Sequence, residues 1–169
     1  MAKAADQAAE KLWDMIKDFR VCMLTTTDED GTLRSRPMAG WQDAFDGTLW
    51  FMTRASSHKV DEIAGHHEVN LAYAEPDKEH YVSVSGWGEI VRDKDKIHQL
   101  WREYLTTWFP KGLDDPDIAL LKVRVEKAEY WDQPSSAMVY LYGYAKAKLT
   151  GERPTVGENE KVNFRPQTR

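Results

Sequence analysis

The spacing of apolar positions changes several times along the chain, and each change marks an element. Ala8, Leu12, Met15, Ile16 and Phe19 recur at three- and four-residue steps, so residues 4–19 predict an amphipathic helix that covers one face of the domain. From Arg20 the run RVCMLTTT is rich in β-branched and apolar residues, DEDG supplies a tight turn, and TLRSRPM returns as a second strand. A further turn, AFDG, leads into the strand TLWFMT at 48–53. Ser56 or Ser57 then caps a short helix that carries His58 and Lys59 in its first turn and ends at Gly65. EVNLAYAE alternates as a strand, PDKE turns, and HYVSVSGWGEIVR makes a long strand whose two glycines predict a bulge or barrel bend. In residues 93–108, Ile97, Leu100, Trp101, Tyr104 and Leu105 share one face and predict another helix. FPKGLDDPD reads as a loop, and IALLKVRVEKAEYWD ends the series as a strand.

Six strands with helical insertions predict a mainly β fold, a six-stranded antiparallel barrel with helical caps, over residues 1–132. Residues 133–169 stand apart. SSAMVYLYGYAKAKLTG permits a helix, and the rest reads as an extended arm packing on the barrel or a partner subunit.

Composition narrows the function. At 169 residues the chain is one domain, and its net charge of −5 argues against a nucleic-acid partner, which needs a basic face. No stretch approaches the ~20 apolar residues that span a bilayer, and the charged start has no signal-peptide core, so a cytoplasmic protein without a membrane partner is expected. The single cysteine, Cys22, rules out an internal disulfide and a multi-cysteine zinc site, and reads as a buried small hydrophobe. Seven tryptophans are many for one small core, so some are expected at a planar ligand or a subunit interface.

The candidate chemistry lies at Thr53-Arg54-Ala55-Ser56-Ser57-His58-Lys59, where a strand feeds a helix. Free N–H groups at the helix start, the Ser56 and Ser57 hydroxyls and the Lys59 cation make an anion site fit for a phosphate. Arg36, on the preceding strand, would join it by cross-strand pairing near Thr53. The plainer alternative is a helix cap followed by a surface lysine. His66-His67 and the acidic run Asp114, Asp115 and Asp117 read as turn chemistry rather than metal ligands.

Several segments in order, SRPM at 35–38, LWFMTRASSHKVDEI at 49–63, VNLAY at 69–73, YVSVSG at 81–86 and AEYWD at 128–132, resemble the pyridoxamine 5′-phosphate oxidase-like FMN-binding split-barrel family, in its general stress protein 26-like branch. That resemblance implies a split barrel that pairs as a homodimer and binds FMN, or FAD through its FMN half, at the subunit interface. It places Arg36 on the phosphate and ribityl chain, Pro37 and Met38 along the flavin edge, and Met52 and Thr53 where the next strand meets the cofactor. His58 and Lys59 match a basic pair at the phosphate, Tyr81 stands where the oxidases carry a ring-contacting glutamine, and Trp131 matches a tryptophan given by the partner subunit. Trp108 resembles a tryptophan of the stress-protein branch. The arginine–histidine segment that grips pyridoxamine phosphate in the oxidases is absent, since Trp131 is followed by Asp132-Gln133-Pro134-Ser135. The implied function is a flavin-dependent oxidoreductase acting on a small molecule, without a catalytic side chain or metal of its own. The alternatives are a non-catalytic flavin-binding sensor or store, an oxidase of the pyridoxamine phosphate type, and a cofactor-free barrel.

Overall fold

A computed structural model describes residues 2–132 and 158–164. Helix α1 (Ala2–Ile16) precedes β1 (Val21–Thr27), β2 (Leu33–Ala39) and β3 (Thr48–Arg54). Helix α2 (His58–Gly65), β4 (Glu68–Glu75), β5 (His80–Val91), α3 (Lys94–Leu100) and β6 (Ile118–Asp132) come next. Six of the strands curl into one antiparallel half-barrel in the order β2-β1-β4-β5-β6-β3. No helix of the described residues is long and apolar enough to cross a membrane.

The interior is filled by the alternate positions of these strands. Leu24, Leu49, Phe51, Leu71, Val82, Val84, Leu121 and Val123 point inward and are buried, and Leu12 and Ile16 of α1 close one end. Cys22 belongs to this core, where burial pushes its thiol up to about 12 and leaves it unreactive. The turns behave as their glycines require: Gly31 in DEDG and Gly47 in AFDG hold φ of 82° and 93°, a left-handed region open to glycine without strain.

Four features depart from the sequence reading. First, β2 and β3 are not a hairpin. β3 pairs along β6 from Thr48↔Arg124 to Arg54↔Ile118, and β2 meets β3 through the single bridge Gly40↔Phe51. The cause is the loop between them, where the Gln42 side chain takes the Trp50 N–H at 2.9 Å and donates to the Thr48 carbonyl at 3.0 Å. Second, the helix expected over 93–108 stops at Leu100, because Trp101 adopts extended backbone (φ −61°, ψ 137°), and a 3-10 segment at Glu103–Thr107 continues the chain. The break serves packing: Ile97, Leu100, Leu105 and Phe109 form a second small core with Ile118 and Leu120. Third, the part of the tail over Glu158–Asn163 forms β7, a seventh strand pairing with β6 from Lys127 to Asp132. The expected helix over 135–151 lies outside the described residues. Fourth, α1 begins and ends a little earlier than the periodicity indicates, and Phe19 packs on Tyr73 from the connecting turn.

The glycines of β5 do make a bulge. The β5–β6 register shifts between Ser85 and Gly86, leaving Glu126 as the extra residue, and the Phe164 N–H satisfies its carbonyl at 2.7 Å. A Cβ on Gly86 would collide with the Arg124 carbonyl oxygen and come within 2.8 Å of Val123 Cγ1, whereas one on Gly65 would meet open space. Gly86→Ala should therefore destabilise the protein by about 1–3 kcal/mol. Gly65→Ala, whose φ is not left-handed, should stabilise by roughly 0.4–1 kcal/mol. Urea unfolding of the two variants measures both, and equal midpoints would contradict the bulge's tight packing.

Candidate functional site

The seam between β2 and β3 opens into a cleft of about 500 Å³, inside the ~300–1,000 Å³ range of small-molecule sites. Its walls are the apolar side chains of Met38, Met52, Leu105 and Phe109, and its mouth is aromatic, with Trp41, Tyr104 and Trp108. Pro37 and Ala39 line the β2 edge, and the polar end holds Thr53, Arg54, Ser57 and Lys59. Strand alternation explains the pairing of neighbours: Thr53 is the last inward position of β3 and Met52 the last outward one before it, and both reach the cleft where the strand ends.

Of the residues expected at a cofactor, Pro37, Met38, Met52, Thr53, Ser57, Lys59 and Trp108 line this cleft. Trp108 is 66% exposed at its mouth. Four others sit elsewhere. Arg36 does not reach the cleft by pairing with β3, since its strand pairs only with β1 in the ladder. Its guanidinium turns inward, donating Nη2 to Glu62 Oε2 at 2.7 Å and Nη1 to the Thr26 hydroxyl. Glu62 on α2 is 3% exposed and also accepts from Thr26, so the pair joins a buried carboxylate to a partly buried guanidinium. His58 opens α2 but faces away, with Nε2 3.5 Å from Asp28 Oδ1 and 3.7 Å from Glu62 Oε1. By geometry Asp28, His58 and Glu62 could hold a cation, yet Arg34 and Arg36 already neutralise the two carboxylates.

Tyr81 and Trp131 pair with each other across β5 and β6. Along β6, Trp131 lies 12 residues beyond Ala119, the partner of Thr53, about 40 Å of extended strand. Neither of these two aromatics lines the cleft of its own chain.

The polar end is short of negative charge. Lys59 Nζ donates to Ser57 Oγ at 3.2 Å, and Ser57 Oγ lies 3.5 Å from Thr53 Oγ1. Among the described residues no carboxylate stands within 4.0 Å of Lys59 Nζ. Burial, followed by the nearby Arg36 and Arg54 charges, holds its ammonium below the ordinary 10.5, against the pull of Glu62. Ser57 precedes α2 in extended backbone, but its hydroxyl caps nothing because it is turned toward Lys59. The helix start is thus left without a side-chain cap beside an unneutralised cation and two hydroxyls.

Sequence reasoning missed Trp41, Tyr104, Leu105 and Phe109 in the cleft. Trp41 and Tyr104 pack edge to face at 5.2 Å, a long-range contact made possible by the break at Trp101. It also missed Arg54, although its place beside Thr53 at a strand end was a signal. Of the histidine pair, His66 is exposed, and His67 stacks on Trp87 at 4.5 Å and bonds the Gly88 carbonyl through Nδ1 at 3.0 Å.

A split barrel with an apolar cleft and an electropositive end is the class that this geometry defines. The pyridoxamine 5′-phosphate oxidase-like family model matches residues 7–155, and the chain belongs to that family. The crystal structure of a general stress protein 26 from Jannaschia sp. CCS1 superimposes with a TM-score of 0.73 at 28% identity, covering 94% of this chain and 99% of that one. The general stress FMN/FAD binding protein of Xanthomonas citri does so with a TM-score of 0.66 at 28% identity, covering 78% and 92%. Protein bli-3 of Neurospora crassa is 26% identical over 168 residues, 94% of this chain and 80% of its own length.

The two charged groups near the cleft should respond in opposite ways to removal. Glu62→Ala strands the Arg36 guanidinium and should lower stability by on the order of 3 kcal/mol in urea unfolding. Lys59→Ala removes a half-buried cation that has no carboxylate partner among the described residues, and should leave the urea midpoint unchanged or raise it.

Proposed function

We propose that this protein binds a flavin phosphate, FMN or FAD through its FMN half, in the cleft beside Lys59, and acts as a flavin-dependent oxidoreductase. One observation carries the reading: an uncapped helix start, two hydroxyls and a cation without a carboxylate partner among the described residues meet at the end of an apolar cleft. A phosphate supplies the missing negative charge, and the apolar walls suit a fused ring system. The Xanthomonas citri relative, named for binding FMN or FAD, supports the choice of flavin.

Bound flavin would supply electron and hydride transfer. The chain's own part is positional. Lys59, Ser57 and Thr53 hold the phosphate, while Met38 and Met52 lie along the ring. Trp41, Tyr104 and Trp108 shield the mouth from water. Among the described residues the cleft lining includes no carboxylate and no histidine. That composition favours, as a second reading, a flavin carrier or sensor without turnover. A nicotinamide-driven reduction assay separates the two.

The site is completed, in this proposal, by a second copy of the chain. Pro37, Met23, Ala72, Ser83 and Glu129 form one cross-strand row, and Ala74, Tyr81 and Trp131 the next. On this outer face Val21 is 50%, Met23 41% and Tyr81 39% exposed, an apolar and weakly charged surface. The face runs from Pro37 at the cleft edge to Trp131, four strand spacings away or about 19 Å. A two-fold axis through it carries each Trp131 toward the other chain's cleft.

Purified protein should show bound flavin in its visible absorption or take up FMN saturably, with riboflavin bound more weakly. Absence of both would sink the proposal. Lys59→Ala should weaken FMN binding about tenfold or more, the worth of one charge-assisted contact. The pH dependence has a definite sign. Lys59 titrates below 10.5, so FMN affinity should decline through the alkaline range as the ammonium is lost, and should decline less in Lys59→Ala.

Light scattering at micromolar concentration should report a dimer, and Met23→Glu, placing a charge on the outer face, should shift it toward monomer. A wild-type monomer would contradict the two-fold arrangement.

A further inference from the structure

The acidic run of the loop before β6 contains one residue that does more than shape a turn. Asp117 reaches the segment joining β3 to α2 and bonds to three consecutive residues of it. Its Oδ1 accepts the Ser56 N–H at 2.8 Å, and its Oδ2 accepts the Ser56 hydroxyl at 2.8 Å and Arg54 Nε at 3.0 Å. Its carbonyl accepts the Ala55 N–H at 2.7 Å. Asp117 is itself fixed, since its N–H donates to Asp115 Oδ1 at 3.0 Å.

These bonds occupy Arg54, Ala55 and Ser56 and leave untouched the two residues that face the cleft on either side, Thr53 and Ser57. The Ser57 N–H closes the same turn onto the Arg54 carbonyl at 3.1 Å. Such an arrangement fixes the path of a polar turn from outside the cleft and leaves the Thr53 and Ser57 hydroxyls, which contact each other and Lys59, on the cleft side. It also directs Arg54: with Nε engaged, the terminal amino groups of the guanidinium have no partner among the described residues, and the side chain lines the cleft.

We infer that Asp117 is a positioning residue of the anion site, holding the 53–57 turn and the Arg54 fork in the geometry that receives a phosphate. This rests on the proposed phosphate-binding role of the cleft. The carboxylate never touches the ligand; it acts through Ser56 and Arg54. A substitution at Asp117 should therefore reduce discrimination between phosphorylated and unphosphorylated ligands more than it reduces binding of the ring.

The test compares FMN with riboflavin by isothermal titration for wild type, Asp117→Ala, Asp117→Asn and the control Asp114→Ala. Asp114 is exposed and makes no bond to the turn. Asp117→Ala should cut the FMN-over-riboflavin preference about tenfold or more, with riboflavin affinity little changed. Asp117→Asn keeps one acceptor for the Ser56 N–H and should fall between, and Asp114→Ala should match wild type. Thermal melts verify folding. Should Asp117→Ala fail to fold, Ser56→Ala, which deletes one exposed hydroxyl from the clamp, should still lower the preference measurably. A wild-type preference that survives in Asp117→Asn and in whichever of Asp117→Ala and Ser56→Ala folds overturns this inference alone. A wild type with no preference for FMN overturns the flavin phosphate reading, and this inference with it.

Discussion

The geometry of the molecule depends on one strand serving three neighbours. β6 is 15 residues long, with β5 along one edge and β3 and then β7 along the other. A strand of that length cannot stay flat while its ladder stays intact, and the bulge at Glu126 gives it the bend that a half-barrel needs. Everything at the cleft hangs from its beginning, where Asp117 holds the turn before α2 and Ile118 faces Arg54. The outward aromatics Tyr81 and Trp131 stand at its far end.

Charge is distributed around the cleft in two tiers. The deeper one is closed: Arg36, Glu62 and Thr26 satisfy each other, with Asp28 and Arg34 forming a second pair nearby. The nearer tier is open, because among the described residues Lys59 has only a serine hydroxyl as partner. The Arg36–Glu62 pair is close to neutral as a unit and leaves the Lys59 ammonium to make direct contact with a ligand. The same separation distinguishes Arg36 from Lys59, equivalent as charges in a sequence: one is committed to Glu62, the other faces the cleft.

Much of the fold was legible because its signals are local. Alternation in EVNLAYAE, the glycine turns at Gly31 and Gly47, and the paired glycines of β5 each act within a few residues. The partnering of β3 with β6 was not legible, since it depends on a loop that Gln42 organises and on a strand far along the chain, where Ile118 meets Arg54. Half of the cleft was visible for a similar reason. Thr53, Ser57 and Lys59 sit together in sequence, whereas Trp41, Tyr104 and Phe109 come together only through the break at Trp101. Asp117 illustrates the limit well: its sequence context announces a turn, and its reach to Ser56 is purely tertiary.

The tryptophans, too many for one small core, sort themselves by environment. Trp13 stacks on Phe45, Trp50 lies beneath the ammonium groups of Lys96 and Lys122 at 5.1 and 5.8 Å, and Trp101 packs on Phe109. Trp41 and Trp108 stand at the cleft, and Trp131 stands on the outer face. The chain therefore carries its own set of optical probes in three separate places. Emission from the partly buried indoles of Trp13, Trp50 and Trp101 tracks the integrity of the barrel, and that from the cleft pair tracks what enters between them. Trp131 responds to whatever covers the sheet, so folding, occupancy and assembly can be watched as separate signals in one unlabelled protein.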